Sequence, residues 1–194
     1  MLDCDGGAPE GGPLRVQVVG GLVRTTIKFG SDRLDLAEET VAASLGWHPE
    51  ASAFGIEGAI GALVAGTLGD VDLDPGFVAS ATGSWLALPE TAGRPFILVA
   101  GTASVLTAPH LTAVDFRASA VVGKTIFDRL TLYAAGRVFG GPVSFDPETA
   151  TGSDTHHYAV GAGASLRLPK AFDVFVEGSP LGEQSLNVGA GLRF

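Results

Sequence analysis

Large apolar side chains recur at every second position along most of this chain. In FGIEGAIGALV, residues 54–64, the positions of Phe54, Ile56 and Ile60 alternate with glycine, alanine and Glu57. A period of two indicates a β-strand whose two faces meet different surroundings. The pattern therefore predicts an all-β protein.

The same alternation recurs about ten times, with eight strands as the second choice of count. The predicted strands are 14–29, 41–47, 54–66, 77–87, 96–105, 113–123, 130–140, 158–168, 172–178 and 185–194. The only rival for a helix is LDLAEETVAAS, residues 34–44, and we favour the strand interpretation there.

The first of these strands is the least regular. Its apolar phase, set by Val16, Val18 and Leu22, is later occupied by Arg24 and Lys28. A β-bulge adds one residue to a strand and resets its phase. We therefore expect a bulge at the two glycines in positions 20 and 21.

The connections fall into two sets that predict an up-and-down sheet. Those after even-numbered strands, such as HPEAS, LPKAFD and GKTIFDR, belong to one end, and those after odd-numbered strands belong to the other. An even number of strands places both chain termini at the same end. The longest connection, GPVSFDPETATGSDTHH, is expected to be a loop at the end opposite the termini.

Alternation alone does not separate a soluble β-sandwich from a membrane β-barrel, but the aromatic positions do. Rings at strand ends are typical of membrane interfaces, whereas a soluble core places large rings in mid-strand. One predicted belt lies at the end of the even-numbered turns and a second lies at the opposite end. The first contains Trp47, Phe54, Trp85, Phe96, Phe127, Phe172 and Phe194, and the second contains Phe29, Phe77, Phe116 and Tyr158.

The other face of the predicted strands is small and sparsely charged, as expected for a narrow barrel lumen. Its charged members are Glu57, Arg117, Arg137, Arg167, Glu177 and Arg193. We expect the acids Glu57, Glu177 and Asp115 to pair with the arginines Arg117, Arg137 and Arg167, because a narrow lumen solvates charges poorly.

The chain ends on SLNVGAGLRF, with Leu186, Val188, Ala190, Leu192 and Phe194 on one face. This ending resembles the C-terminal signature of bacterial outer-membrane β-barrel proteins. The resemblance implies a monomeric, membrane-spanning antiparallel up-and-down barrel over residues 14–194, in contact with outer-membrane lipid and lipopolysaccharide. It also implies recognition of the last strand by the barrel-assembly machinery, and export from a Gram-negative cytoplasm through a signal peptide that this chain lacks.

Composition argues against three other classes of protein: nucleic-acid-binding, helical membrane and disulfide-bonded proteins. The formal net charge of −9 argues against a nucleic-acid partner. No apolar run reaches the roughly 18 residues of a membrane helix. The single cysteine, Cys4, excludes an intrachain disulfide. It lies in residues 1–13, which we predict to be a flexible leader, and we interpret it as a chance residue rather than a lipidation site.

Candidate chemistry is confined to the predicted turns. Ser153, Asp154 and His156 are the residue types of a hydrolytic triad, but neighbours on one loop rarely reach triad geometry. His110 and His157 resemble the rim histidines of omptin-type proteases and lipid A deacylases in residue type only, without a matching motif. Asp70, Asp72 and Asp74 are spaced like the start of a calcium loop, without the glycine and glutamate that complete one. VGAGAS lies inside a strand, so it does not qualify as a dinucleotide-binding turn.

We therefore assign no catalytic, cofactor-binding or metal-binding residue. The leading functional hypothesis is a structural or anchoring outer-membrane barrel with a narrow or side-chain-filled lumen. The alternatives are a small pore or transporter for polar solutes, and an outer-membrane rim enzyme that hydrolyses lipid A or peptide.

Overall fold

The computed structural model describes residues 12–49, 52–145 and 150–194. Ten long strands follow the chain in up-and-down order, and three short ones lie near their ends. The long strands are β1 (Leu14–Phe29), β2 (Asp32–Trp47), β3 (Phe54–Leu68), β5 (Gly76–Leu88), β6 (Phe96–Ala108), β7 (Leu111–Ile126), β8 (Leu130–Gly140), β11 (Tyr158–Leu168), β12 (Phe172–Gly182) and β13 (Gln184–Arg193). The short strands are β4 (Val71–Asp72), β9 (Pro142–Phe145) and β10 (Ala150–Asp154).

The ten long strands close into an antiparallel barrel. The last strand, β13, pairs with β1 from Arg15 opposite Arg193 to Arg24 opposite Gln184. This closure removes the free sheet edges that would otherwise present unpaired peptide groups. The predicted fold class and the count of ten strands are confirmed. The described ranges contain no helix long and apolar enough to cross a membrane.

Both ends of the barrel wall meet at the same pole, which we call the inner end; the opposite pole is the outer end. There, the backbone N–H of Leu14 donates to the carbonyl of Phe194 over 3.1 Å, and the N–H of Phe194 donates back over 3.0 Å. The predicted leader lies outside the described residues as far as residue 11, and Cys4 lies outside them with it.

The outer surface of the barrel is apolar, as the alternation predicts. On β13, the side chains of Leu186, Val188, Leu192 and Phe194 are between 44 and 54% exposed. The intervening positions, such as Asn187 and Arg193, face the lumen. Because the outward side chains of the wall are predominantly apolar, this barrel has the apolar outer face of a membrane-spanning sheet.

The aromatic belts are largely as predicted, with two corrections. Exposed rings at the inner end include Trp47, Trp85 and Phe54, the last two of which stack with centroids 6.1 Å apart. The assignment of Phe96 and Phe29 to the belts is wrong. Phe96 is buried and faces the lumen on β6. Phe29 also faces inward and packs beside an apolar cluster at the outer end.

The predicted bulge in β1 is also wrong. This strand pairs with β2 in one unbroken register from Leu14 opposite Trp47 to Phe29 opposite Asp32. Arg24 and Lys28 therefore continue the outward phase and are exposed. With 16 residues, the strand exceeds the roughly 9–11 that span a bilayer. Its polar outward residues, Arg24 and Lys28, belong to the part of the strand near the outer end that exceeds the length needed to span the bilayer.

The segment with helix-like composition, residues 34–44, lies wholly within β2. It is paired with β1 on one side and with β3 on the other. Two ladders of backbone hydrogen bonds override its weak helical preference.

The long connection expected to be a loop contains two paired strands, β9 and β10. β9 continues the line of β8 along β7, with Val143 opposite Ala113. β10 pairs with β9 and also with β1, where Asp154 lies opposite Ile27. A second closed circuit of eight strands therefore exists at the outer end, in the order β1–β2–β3–β5–β6–β7–β9–β10. The tip of the β12–β13 hairpin ends below this circuit.

Candidate functional site

An apolar cluster occupies the lumen at the outer end. Its members come from six strands and from the turn after β4, and all of them are buried. They are Ile27, Leu36, Leu63, Leu68, Leu73, Leu106, Ala108, Leu111 and Val143. Leu63 is fully inaccessible to solvent. We call this group the outer cluster; it packs like the core of a soluble protein.

Arg117 lies in the polar layer next to the outer cluster. Its Nη1 and Nη2 atoms donate to the two carboxylate oxygens of Glu183 over 3.0 and 3.3 Å, and its Nε donates to Asp115 over 3.2 Å. The guanidinium also lies 4.5 Å from the ring centroid of Phe139. A fork of this kind holds the carboxylate in a fixed orientation. Glu183 is the residue in the β12–β13 turn, so this pair fastens the short hairpin to β7, which lies three strands away around the wall.

A second arginine lies deeper in the lumen. Arg137 forms an ion pair with Glu177 and donates from Nη1 to the hydroxyl of Ser179 over 3.3 Å. On the neighbouring strands β5 and β6, the hydroxyls of Thr82 and Thr102 are hydrogen-bonded over 2.9 Å. Two of the predicted lumen pairs are therefore confirmed, Asp115 with Arg117 and Glu177 with Arg137.

A third ion pair lies at the inner end. The Nε of Arg15 donates to Asp173 over 3.2 Å, and the Nη2 of Arg15 contacts the same carboxylate. Arg15 is almost fully buried. The three pairs are spread along the lumen, and each of their charges meets a counter-charge inside the wall.

Large inward side chains in the inner half of the barrel lie against glycines of the neighbouring strand. Phe96 lies opposite Gly123, Phe175 lies opposite Gly189, and Tyr133 lies opposite Gly163. A Cβ added to Gly163 would be 2.4 Å from Cζ of Tyr133, and at the other two glycines it would be 2.4 to 2.5 Å from a ring carbon. The absence of a side chain lets each ring lie flat on the wall.

A cavity remains at the centre of this ring of aromatics. Its volume is about 200 Å³. Its lining residues are Gln17, Phe96, Leu98, Val121, Tyr133, Phe175 and Glu177. We call it the lumen cavity; it lies between the Arg137–Glu177 pair and the Arg15–Asp173 pair.

Comparison with solved structures adds one argument about the fold. An outer-membrane channel from Pseudomonas putida F1 superposes over 100% of both chains with a TM-score of 0.62 and 9% identity. The chain has the outer-membrane β-barrel fold. At this level of identity, the similarity does not extend to function.

Two other similar structures have lower scores. The transport unit of the autotransporter AIDA-I from Escherichia coli has a TM-score of 0.44 and 8% identity, over 100% of this chain and 93% of that one. A loop-deletion variant of the outer-membrane protein OmpT of Vibrio cholerae has a TM-score of 0.33 and 11% identity, over 93 and 99%. No protein-family model matches the chain, and no curated protein matches it either.

At the inner end of the barrel, His48 folds from the β2–β3 turn over the lumen rim. A Cβ at Gly46 would lie 3.3 Å from Nε2 of His48 and 3.4 Å from Oε2 of Glu57, so these two side chains share one corner. Neither ring nitrogen has a hydrogen-bond partner among the described residues. Burial, together with nearby positive charges that include those of Arg193 and Arg15, lowers the pKa of His48 to about 4. The ring is therefore neutral at pH 7.

The barrel separates the side chains of the candidate triad. Ser153 is exposed on β10, whereas Asp154 points to the other face of that strand. The carboxylate of Asp154 accepts from the hydroxyl of Thr25 over 2.8 Å and from the backbone N–H of His156 over 2.7 Å. Nδ1 of His156 lies 3.2 Å from the hydroxyl of Thr155. These contacts hold the end of β10 against β1, which is a structural role.

The remaining turn candidates are exposed and dispersed. His110 lies in the β6–β7 turn with a positive φ of 67°, and His157 is exposed before β11. Asp70, Asp72 and Asp74 all face solvent, while Leu73 between them turns into the outer cluster. Within the described ranges, no three histidine, cysteine or acidic side chains converge as metal ligands.

Sequence reasoning missed Glu183, Arg15 and Asp173 as lumen residues. Glu183 belongs to a turn, and turns carry no alternation that would reveal an inward side chain. The phase of Arg15 on β1 could have revealed it, because it alternates with Leu14, Val16 and Val18.

Proposed function

We propose that this protein is an integral outer-membrane barrel with a structural or anchoring role, and that its lumen is closed to solutes at the outer end. The outer cluster is the observation that supports closure. A hydrated solute passing there would have to separate buried leucines from one another, and opening such a core is costly. The Arg117–Glu183 pair beneath it adds two charged groups that are already bonded to each other.

We also propose that the barrel lies in the outer membrane and that its partners are the surrounding lipids and the barrel-assembly machinery. The apolar outer face fits lipid and lipopolysaccharide, and the exposed alternate residues of β13 fit recognition by the barrel-assembly machinery. The connections of the described residues at the outer end are short, which supports anchoring over receptor function.

A small pore for polar solutes is the second candidate. The whole-length similarity to an outer-membrane channel is the observation that favours it. The two candidates differ in a single measurable property, the ionic conductance of the purified barrel.

Planar-bilayer recording of the refolded protein tests the proposal, with a general porin as the positive control. We expect no steady single-channel steps from the wild type. The double variant Leu63→Ser, Leu111→Ser, which makes the outer cluster polar, should increase conductance over the wild type. The matched variant Val64→Ser changes the neighbouring, outward-facing position and should behave like the wild type. Steady steps from the wild type would overturn closure and favour the pore.

A further inference from the structure

We propose that the lumen cavity is a binding site for a small, neutral, apolar ring compound that carries one hydrogen-bond donor. The cavity is lined by seven side chains from five strands, β1, β6, β7, β8 and β12, and it is partly open to the rest of the lumen. It lies in the inner half of the barrel, away from the outer cluster. Binding there does not depend on whether the outer end conducts.

The size of the cavity sets the size of the ligand. An apolar cavity of about 150 Å³ in another protein stays free of water and binds benzene. A cavity of about 200 Å³ is therefore large enough for a ligand with a single ring or with two fused rings.

The cavity walls cannot readily move inward to fill this space. Phe96, Tyr133 and Phe175 are each packed flat against a glycine, so their rings already have tight contacts on the wall side. Phe96 is 2% exposed and packs with Tyr133 and Leu98. Swinging any of these rings toward the centre would leave a gap over its glycine, and such gaps are costly in a packed interior.

The lining chemistry selects a flat apolar molecule. Three aromatic rings together with Leu98 and Val121 surround the space, and aromatic side chains favour stacked or edge-on contact with another ring. The polar groups that line the cavity are the amide of Gln17 on β1, the carboxylate of Glu177 on β12 and the hydroxyl of Tyr133 on β8. Their side-chain oxygens can accept one hydrogen bond from the ligand.

The charges around the cavity select a neutral ligand. Glu177 is already paired with Arg137, and Asp173 is already paired with Arg15. A cationic or anionic ligand would bring an unmatched charge against the apolar rings of this cavity, where desolvation is costly.

Indole is a suitable probe because it has two fused rings and one N–H donor. Titration calorimetry on the full-length barrel in detergent micelles should show saturable, one-to-one binding after subtraction of heat from empty micelles. Val121→Phe projects a larger ring into the cavity and should weaken binding by about tenfold or more. Val122→Phe makes the same change at the next position of β7, which faces outward, and should change binding by less than about twofold.

A third variant tests the polar contact. Gln17→Leu should weaken binding of indole but not of indene, which has the same shape without the N–H. Boiled and unboiled gel mobility is compared for every variant, so that loss of folding is distinguished from loss of binding. The proposal is overturned if the wild type shows no saturable heat, or if folded Val121→Phe and Val122→Phe bind indole equally. Equal binding would assign the heat to the micelle or the outer surface.

Discussion

At the scale of single residues, the lumen is organised by glycines. Gly123, Gly163 and Gly189 each lie beneath an aromatic ring of the adjacent strand. Gly101, by contrast, faces outward and has no atom within 4 Å of an added Cβ. Sequence alternation identifies which glycines face inward, but the ring that each one meets depends on strand register. These pairs could therefore not be predicted.

Gly163→Ala should destabilise the barrel by roughly 1–3 kcal/mol, because the new Cβ displaces the ring of Tyr133. Gly101→Ala is the matched control and should be neutral or stabilising by about 0.5 kcal/mol, since alanine has less entropy to lose. Urea titration in lipid vesicles measures both free energies of unfolding. Equal values for the two variants would contradict the packing argument.

His48 should make stability depend on pH. Its pKa is near 6.5 in the unfolded chain and about 4 in the folded one. Between these values, the unfolded state binds a proton that the folded state does not. The stabilising contribution is therefore complete above pH 6.5 and is lost as the pH falls toward 4.

His48→Phe keeps a ring over Gly55 without a titrating group. The wild type should lose about 1 kcal/mol more than this variant between pH 7 and pH 4.5, because solvent screens part of the shift at this partly exposed ring. Urea titrations at the two pH values measure the loss of unfolding free energy in each protein. Subtracting one loss from the other removes the contribution of the carboxylates, which both proteins share. The same pH slope in both proteins would rule out His48 as its source.

At the scale of elements, the outer halves of β1, β2, β3, β6 and β7 differ from their inner halves. Their excess length carries the buried residues of the outer cluster, so these strand ends pack like a small soluble domain. The sequence predicted where most strands begin or end at the inner pole, because aromatics and turn residues mark them. It did not predict β9, β10 or the early start of β2, because there the pairing partners, rather than alternation, determine the strand.

Leu63→Ala should cost about 2–5 kcal/mol of unfolding free energy, because the leucine is fully buried and its removal leaves a cavity. Val64→Ala, at the adjacent outward position, should cost about 1 kcal/mol or less. Both are measured by urea titration in the same vesicles. A small effect of Leu63→Ala would indicate that the outer cluster contributes little to stability.

At the scale of the whole molecule, closure of the wall is the property that the sequence predicted best. Unpaired peptide N–H and C=O groups are costly in lipid, so a sheet that spans a membrane must close into a barrel. The alternation, the even strand count and the C-terminal pattern at Phe194 all agree with such a closed wall. For the lumen, the sequence predicted a narrow interior with paired charges but not the full set of residues that form it. Arg117, Arg137 and Glu177 were recognised from their phase, whereas Arg15 and Asp173 on strands and Glu183 in a turn were not.

A closed barrel should resist detergent. Unboiled protein should migrate faster than boiled protein in a dodecyl sulfate gel, because the compact barrel binds less detergent than the unfolded chain. The boiled sample of the same preparation is the control. Identical mobility, together with solubility in the absence of detergent, would contradict the membrane-barrel assignment.

The two circuits of strands also restrict how the wall can be taken apart. β10 bonds to β1 at Ile27 and Lys28, above the last pair that β1 makes with β13 at Arg24. The tip of the β12–β13 hairpin thus lies directly below β10 on the side of the outer pole. The hairpin therefore cannot leave the wall by sliding toward the outer pole while β10 stays bonded to β1.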